Sequence, residues 1–152
     1  MRAKDGTNFY NRTLEFFSTT PFVLNPLPLV WIKSDNSGIL PDPERGPRHI
    51  YETAFFGAAG DRKIVRAKSD AISLSSEKDI HMSIKPQGML EYFFGMFVDS
   101  NTRMLDPTCG SGSSLRAAER LGASSVLGLE RDPLFAADAN RKLEAQRRKV
   151  AA

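Results

Sequence analysis

One run of residues constrains this chain more than any other, because it combines a buried strand, a glycine turn and the start of a helix. The run covers residues 104–115, and its glycines are Gly110 and Gly112. A second apolar run, residues 126–129, follows and ends in the carboxylate of Glu130. In doubly wound α/β folds this succession forms the half-site that holds a ribose-bearing cofactor. The sequence therefore predicts an α/β fold with a cofactor site at the glycine turn.

The side chains around the turn indicate which cofactor suits it. A phosphate-binding loop needs a lysine after its glycines, and this turn continues as Gly-Ser-Ser. A dinucleotide site has a third glycine where this chain has Leu115, and Asp106 at the strand end would repel a pyrophosphate. S-adenosylmethionine carries a sulfonium and an ammonium group, which suit an acidic turn, and Glu130 can accept hydrogen bonds from its ribose hydroxyls. The alternative interpretation is a tight strand–helix connection that binds nothing.

Composition sets the class of protein. The chain has 152 residues, of which 41% are hydrophobic, and this is enough for one domain with a core. No apolar run has the length of a membrane span, and the first residues do not resemble a signal peptide. Cys109 is the single cysteine, which excludes an intrachain disulfide and favours a reducing, cytoplasmic location. It is interpreted as a small turn residue and not as a nucleophile.

The charge pattern is mildly basic, with a net charge of +3. The cations at residues 147–149 are typical of the last turn of a helix, where they complement the helix dipole. The long loop at residues 34–48 and the cations Arg45, Arg48 and Arg62 are candidate DNA contacts, and ordinary solvated surface is the alternative for each cation. The two histidines and the cysteine do not have the spacing of a metal site, so no metal is expected.

Hydrophobic periodicity and turn residues predict the order of the elements. The predicted helices are residues 7–18 with Thr7 as cap, a helix starting at Pro86, a helix from Ser113 or Ser114 to Arg120 ended by Gly122, and residues 133–149. The predicted strands are residues 29–32, 50–57, 64–65, 104–106 and 126–130, with a hairpin turn at 57–61. Residues 68–84 are predicted to be irregular.

The glycine turn resembles the cofactor motif of a known enzyme family. Residues 105–114 read LDPTCGSGSS, similar to the Asp-Pro-Phe-x-Gly-Ser-Gly-Thr-Thr motif of the DNA methyltransferases that methylate adenine N6 or cytosine N4. The Trp-Lys strand at 29–36, the Arg-to-Glu segment at 48–52 and the Ser-x-Lys-Pro segment at 83–86 are similar to further motifs of that family. Their order is that of the permuted class in which the catalytic half comes first. The resemblance covers about residues 8–145.

The resemblance implies a Rossmann-like, S-adenosylmethionine-dependent methyltransferase fold over residues 1–152, with a cofactor-binding portion at residues 81–145. It implies S-adenosylmethionine as cofactor, DNA as partner, and DNA methylation of the restriction-modification type. The residues that it implies at the cofactor are Ser83, Lys85, Pro86, Asp106, Pro107, Thr108, Gly110, Ser111, Gly112 and Glu130.

The family's catalytic segment does not occur at its expected position in this sequence. That segment, Asp-Pro-Pro-Tyr or a close variant, holds the target amine and stacks its aromatic ring on a flipped base. The nearest imitation, Asn25 to Pro28, lacks an aromatic residue, and no catalytic residue is assigned. We therefore expect a partial fold, the C-terminal half of such an enzyme, that does not methylate DNA alone.

Exposed strand edges in such a half-fold predict a homodimer or a complementing catalytic half. Two alternative functions stay open at this point. One is a non-catalytic subunit or regulator that binds S-adenosylmethionine or DNA through the same fold, and the other is a methyltransferase that acts on RNA.

Overall fold

Five short strands follow the first helix, and helices and strands alternate only after them. The computed structural model describes residues 9–38, 44, 46–77 and 84–150. The helices are α1 (Phe9–Ser18), α2 (Gln87–Phe94), α3 (Ser113–Arg120) and α4 (Pro133–Val150). The strands are β1 (Val23–Leu24), β2 (Leu29–Lys33), β3 (Tyr51–Ala54), β4 (Gly57–Ala58), β5 (Ala71–Leu74), β6 (Arg103–Asp106) and β7 (Ser125–Gly128). None of the helices in these ranges is long and apolar enough to cross a membrane.

The described strands form three small sheets. β2 lies between antiparallel β3 and parallel β5, so that Trp31 is opposite both Glu52 and Ile72. β6 and β7 form a parallel pair in which Leu105 is opposite Leu127. β1 and β4 form a short antiparallel pair. The predicted glycine turn lies between the end of β6 and the start of α3.

The core lies between α2 and the β3–β2–β5 sheet. Trp31 is 4% exposed and packs with Met89, Phe93 and Met96. Its indole N–H donates to the carbonyl of Leu74 at 2.9 Å, so the polar end of the largest side chain is satisfied inside the core. The apolar face of α2 therefore packs on the core, as the spacing of its apolar residues predicts.

A second layer of helices covers one face of the β6–β7 pair. α3 buries Leu115, Ala117 and Ala118, and α4 adds Ala139 and Leu143 to the buried set. α3 contacts β6, β7, α2 and α4, so it joins the two parts of the structure. As predicted, a glycine ends α3: Gly122 has a φ of +90° and follows the C-cap residue.

The opposite face of the β6–β7 pair is open. Leu105 and Leu127 are 59% and 60% exposed, whereas Met104 and Val126, which alternate with them, are half-buried beneath α3. Leu129, just after β7, is also exposed. Parallel strands are usually covered on both faces, so this apolar face is unusual for a parallel pair.

Four predictions for the middle of the chain differ from the structure. The predicted strand 50–57 is interrupted: it forms β3 and then β4, which pairs with β1 and not across a hairpin turn at 57–61. Residues 64–65 are not a strand, and the N–H of Val65 donates to the carbonyl of Met96 at 2.7 Å. Residues 71–74, predicted to be irregular, form β5, because distant β2 supplies the backbone partners that local propensity does not reveal. Thr7, the predicted cap of α1, lies outside the described residues.

Candidate functional site

The candidate site is the turn that leads from β6 to α3. β6 and β7 are parallel, so their carboxyl ends meet at one edge of the sheet, with Asp106 on β6 and Glu130 shortly after β7. Ligands of open α/β sheets bind outside this edge, where the strands end and the helices begin. The backbone of the turn bonds to the segment after β7: the N–H of Cys109 donates to the carbonyl of Leu129 at 2.9 Å.

The two glycines of the turn meet different requirements. Gly110 and Gly112 have φ angles of +50° and +72°, in the left-handed region that favours glycine. At Gly112 a side chain would also be crowded, since a Cβ atom would lie 3.0 Å from the Cβ of Ala139 in α4. The glycine at 112 therefore allows α4 to pack directly on the turn.

The carboxylate of Asp106 accepts hydrogen bonds from the turn and from the start of α3. One carboxylate oxygen accepts the backbone N–H of Thr108 at 2.9 Å, and the other accepts the hydroxyl of Ser114. The structure thus gives this acid a clear local role, closing the turn onto the start of α3. Each oxygen retains a second lone pair, so the negative charge still lies at the mouth of the turn.

Glu130 bridges the turn and the start of α4. Its Oε2 accepts the N–H of Gly110 and its Oε1 accepts the N–H of Asp132, both at 2.9 Å. These backbone donors, that of Asp132 foremost, lower the pKa of the Glu130 carboxyl. The carboxylate is therefore ionised and fixed in orientation, and beyond the backbone donors of Gly110, Arg131 and Asp132 it keeps acceptor capacity for an outside hydroxyl.

The remaining predicted turn residues differ in accessibility. Pro107 and Thr108 are exposed at the surface of the turn. Ser111 is 5% exposed, and its carbonyl accepts the guanidinium of Arg116 at 2.8 Å. Burial foremost, and then the nearby carboxylates, raise the pKa of the Cys109 thiol, which supports its interpretation as a turn residue and not a nucleophile.

The predicted Lys-Pro segment lies against the other sheet. Pro86 is buried at the N-terminus of α2, and Lys85 forms an ion pair with Glu52 of β3 at 2.8 Å. Lys33 of β2 pairs with the second oxygen of Glu52 at 2.9 Å. Ser83, which belongs to the same predicted segment, lies outside the described residues. The structure thus places the nine described residues of the predicted set either around the glycine turn or at the start of α2.

Glu52 and Lys85 of this ion-paired cluster also line a cleft that the sequence did not indicate. The cleft has a volume of about 390 Å³ and lies between α2 and strands β2 and β3. Trp31, Phe93 and Phe97 belong to its largely apolar walls, and Glu52 and Lys85 belong to its charged rim. Such a cleft can accept a flat apolar group against aromatic rings. Its only signal in the sequence was the apolar spacing of α2.

The candidate DNA contacts lie in different surroundings. The guanidinium of Arg62 donates to the carbonyl of Phe97 at 2.7 Å and to the hydroxyl of Thr102 at 2.9 Å, so it fastens the chain around α2. Arg62 thus has a structural role, and its side chain is still 48% exposed. Arg48 is exposed, and Arg45 lies outside the described residues.

The segment that most nearly imitates the catalytic motif has an ordinary turn structure. The amide oxygen of Asn25 accepts the N–H of Leu27 at 3.0 Å, and the N–H of Asn25 donates to the carbonyl of Phe56 at 2.8 Å. These bonds form an Asx-type turn between β1 and β2.

Three solved structures share the fold of this chain. The M1.HpyAVI–SAM complex has a TM-score of 0.73 at 17% identity, over 90% of this chain and 71% of that chain. The PvuII cytosine-N4-specific DNA methyltransferase has a TM-score of 0.69 at 14% identity, over 96% and 64%. TTHA0409 of Thermus thermophilus, assigned as a DNA modification methylase and solved with S-adenosyl-L-methionine, has a TM-score of 0.63 at 21% identity, over 83% and 55%.

These likenesses establish the fold. The predicted α/β methyltransferase fold is confirmed, and the chain spans only 55% to 71% of the lengths of these three proteins, which fits a partial fold. No protein-family model matches the sequence, and no curated protein matches it.

The glycine at 112 can be tested against a second glycine of the chain. We expect Gly112→Ala to destabilise the fold by roughly 2–3 kcal/mol, because it adds a positive-φ penalty to a close contact with Ala139. Gly122→Ala is the matched control, since its φ is also positive but no atom lies within 4 Å of the added Cβ. Urea unfolding of both variants measures the difference, and equal losses would contradict the packing argument.

The Glu52 cluster predicts a dependence of stability on pH. Burial raises the pKa of Glu52, but the ion pairs with Lys33 and Lys85 outweigh it and hold the pKa below its ordinary value of 4.5. A carboxyl whose pKa is lower in the folded chain contributes stability above its unfolded pKa, and this is lost as the pH falls through the folded pKa.

We therefore expect Glu52→Gln to remove part of the acid sensitivity of the chain below pH 4.5. The side chain is 37% exposed, so the expected effect is small, about 0.5–1 kcal/mol at neutral pH. Urea midpoints of the wild type and the variant should converge as the pH falls. Glu144→Gln, at an exposed ion pair with Arg148, is the control, and an identical response of both variants would count against the cluster.

Proposed function

We propose that this chain binds S-adenosylmethionine at the glycine turn and forms the cofactor-binding portion of a DNA methyltransferase acting on adenine N6 or cytosine N4. The observation that carries the proposal is the carboxylate of Glu130, fixed by the backbone N–H groups of Gly110 and Asp132 beside two parallel strand ends. An ionised acid with free acceptor positions at this place suits the two hydroxyls of a ribose.

The donor and acceptor chemistry of the turn fits this cofactor. Two carboxylates, Asp106 and Glu130, lie at the mouth, which suits a ligand with a sulfonium and an ammonium group and opposes a pyrophosphate. Gly110 and Gly112 let the ligand approach the backbone closely. When bound, S-adenosylmethionine supplies an electrophilic methyl group for direct transfer to an exocyclic amine.

The residues of this chain would bind and orient the cofactor and would not move a proton in the reaction. Glu130 would hold the ribose, and Asp106 would keep the turn closed while its charge faces the cationic end of the ligand. Pro107 and Thr108 are exposed at the turn and would flank the cofactor. Proximity and orientation supply most of the rate in such a transfer, so a rigid turn is what the reaction requires.

Lys85 and Pro86 would lie beside the cofactor from the side of α2. Their support is indirect: α2 packs on α3, which begins at the glycine turn, and Arg120 of α3 pairs with Glu91 of α2 at 2.9 Å. Ser83 is proposed to lie beside the cofactor as well, because it belongs to the same Ser-x-Lys-Pro segment as Lys85 and Pro86.

Methyl transfer would further require a segment that holds the target amine. No Asp-Pro-Pro-Tyr segment occurs among the 152 residues. We propose the permuted arrangement, in which a catalytic portion with this segment complements the present one, within a longer chain or as a second polypeptide. Folds shared with the M1.HpyAVI–SAM complex and the PvuII cytosine-N4-specific methyltransferase support this choice of reaction. A DNA substrate and the single cysteine favour a cytoplasmic location.

Binding of the cofactor is the first test. Isothermal titration should show S-adenosylmethionine binding to the wild-type chain and at least about a tenfold weaker affinity for Glu130→Gln. The physical reason is that the amide NH₂ cannot accept a backbone N–H or a ribose hydroxyl. Glu144→Gln, an exposed acid of α4 away from the turn, should bind as the wild type does. No binding by a folded wild-type chain would overturn the proposal.

Transfer of a tritiated methyl group to DNA separates the proposed function from its alternatives. The chain alone should bind the cofactor without methylating DNA, and addition of a catalytic portion that carries Asp-Pro-Pro-Tyr should restore transfer. Binding without activity even then would favour a non-catalytic subunit. Methylation of RNA in preference to DNA would favour an RNA methyltransferase.

The open face of the β6–β7 pair supports a proposal about assembly. We propose that the chain self-associates in the absence of a complementing portion, because Leu105 and Leu127 are more than half exposed side by side on this face.

Light scattering at tens of micromolar should therefore give a mass above that of the 16.8 kDa monomer. Leu127→Lys should lower that mass, because it places a charge in the centre of the apolar face. Leu134→Lys is the matched control, as Leu134 is 78% exposed on α4 and lies outside this face. A wild-type monomer with a cooperative melting transition would contradict the proposal.

A further inference from the structure

A basic groove runs between α3 and α4, on the side of α3 that faces α4. It has a volume of about 400 Å³. Its lining includes five cations, and none of the described lining residues is acidic; the cations are Arg116, Arg120, Arg141, Lys142 and Lys149. No motif in the sequence indicated this groove, since the cations of α3 and those of α4 are separated by more than twenty residues.

The groove is a defined concave surface and not a row of loose side chains. The amide of Gln146 in α4 donates to the carbonyl of Arg116 at 3.1 Å, and Arg147 pairs with Glu119 of α3 at 2.7 Å. These bonds hold the two helices together beneath the cations. The guanidinium of Arg116 is itself held by the carbonyl of Ser111, so one wall of the groove is anchored to the glycine turn.

Three acids lie near the groove but outside its lining, and the five lining cations outnumber them. Glu119 accepts the amide of Gln146 at 3.3 Å and pairs with Arg147. Asp138 pairs with both Arg141 and Lys142. Arg120 pairs with Glu91 of α2 at the outer rim. The side chains of Arg141 and Arg120 are 71% and 54% exposed, so these pairs are solvent-screened and each guanidinium retains N–H donors for another acceptor.

From this arrangement we propose that the α3–α4 groove binds the phosphodiester backbone of duplex DNA. Arginine forks match phosphate oxygens in geometry, and clustered cations in a concavity attract a polyanion more strongly than dispersed ones. Contacts of this kind position the duplex without reading its bases. The proposal rests on DNA as the proposed substrate, and the residues that line the groove are not those of the proposed cofactor site.

The test uses two double variants of the full chain that remove the same amount of charge. Arg141→Gln/Lys149→Gln removes two cations of the groove, whereas Arg103→Gln/Arg148→Gln removes two exposed cations outside its lining. Each variant breaks one exposed ion pair, with Asp138 in the first case and with Glu144 in the second. Circular dichroism melting confirms that both variants fold, and Lys149→Gln alone serves if the groove double variant does not.

Fluorescence anisotropy with a labelled duplex of random sequence measures the affinity at several salt concentrations. We expect the groove variant to bind about tenfold more weakly and to reduce the slope of log K against log salt by about two, since each phosphate contact contributes about 0.9. The control should change the affinity by less than about twofold.

Three results would overturn the proposal. They are the absence of duplex binding by the wild type at low salt, equal losses for both double variants, and tighter binding of polyglutamate than of duplex, which would make an acidic protein the partner. Isothermal titration with S-adenosylmethionine is run on the same samples. Because the groove variant should keep wild-type cofactor affinity, failure of the groove and failure of the proposed cofactor site give different results.

Discussion

The hydrogen bonds of the Glu130 carboxylate organise the functional edge of this structure. One oxygen holds the N–H of Gly110 in the turn after β6, and the other holds the N–H of Asp132 at the start of α4. Two parallel strands and the helices that follow them are thereby fixed relative to each other at a single acid. A ligand at this edge meets acceptors already in position, so little of its binding free energy is spent on ordering the turn.

Close packing makes that arrangement possible. α4 lies directly on the turn, because Gly112 has no Cβ to separate it from Ala139. In the same strand pair, Gly128 leaves room for Cys109 and Leu115, whose side-chain atoms would lie within 3 Å of a Cβ at that position. α3 then connects this acidic edge to a groove of opposite charge, and Arg116 contacts both through the carbonyl of Ser111. One short helix thus separates a surface suited to a cationic ligand from one suited to a polyanion.

Local signals predicted the C-terminal half of the fold well and the middle poorly. The glycines, Pro133 and the period of the apolar residues are signals contained within a few residues, and the elements there match the structure closely. β5 was missed because Ala71–Leu74 is a strand only where β2 supplies its backbone partners, about forty residues earlier in the chain. Ile64 and Val65 have strand propensity, but their backbone instead meets the segment after α2.

The sequence by itself determined the turn, the position of its two acids and the exclusion of a phosphate-binding loop, because glycine conformation and charge at adjacent positions are local properties. Only the tertiary structure decided which distant charges meet. It paired Lys33 and Lys85 with Glu52, engaged Arg62 in contacts near α2, and assembled the basic groove from α3 and α4. The physical reason is that a long charged side chain has many possible partners in the sequence. Only the packing of the backbone brings one particular partner within bonding distance.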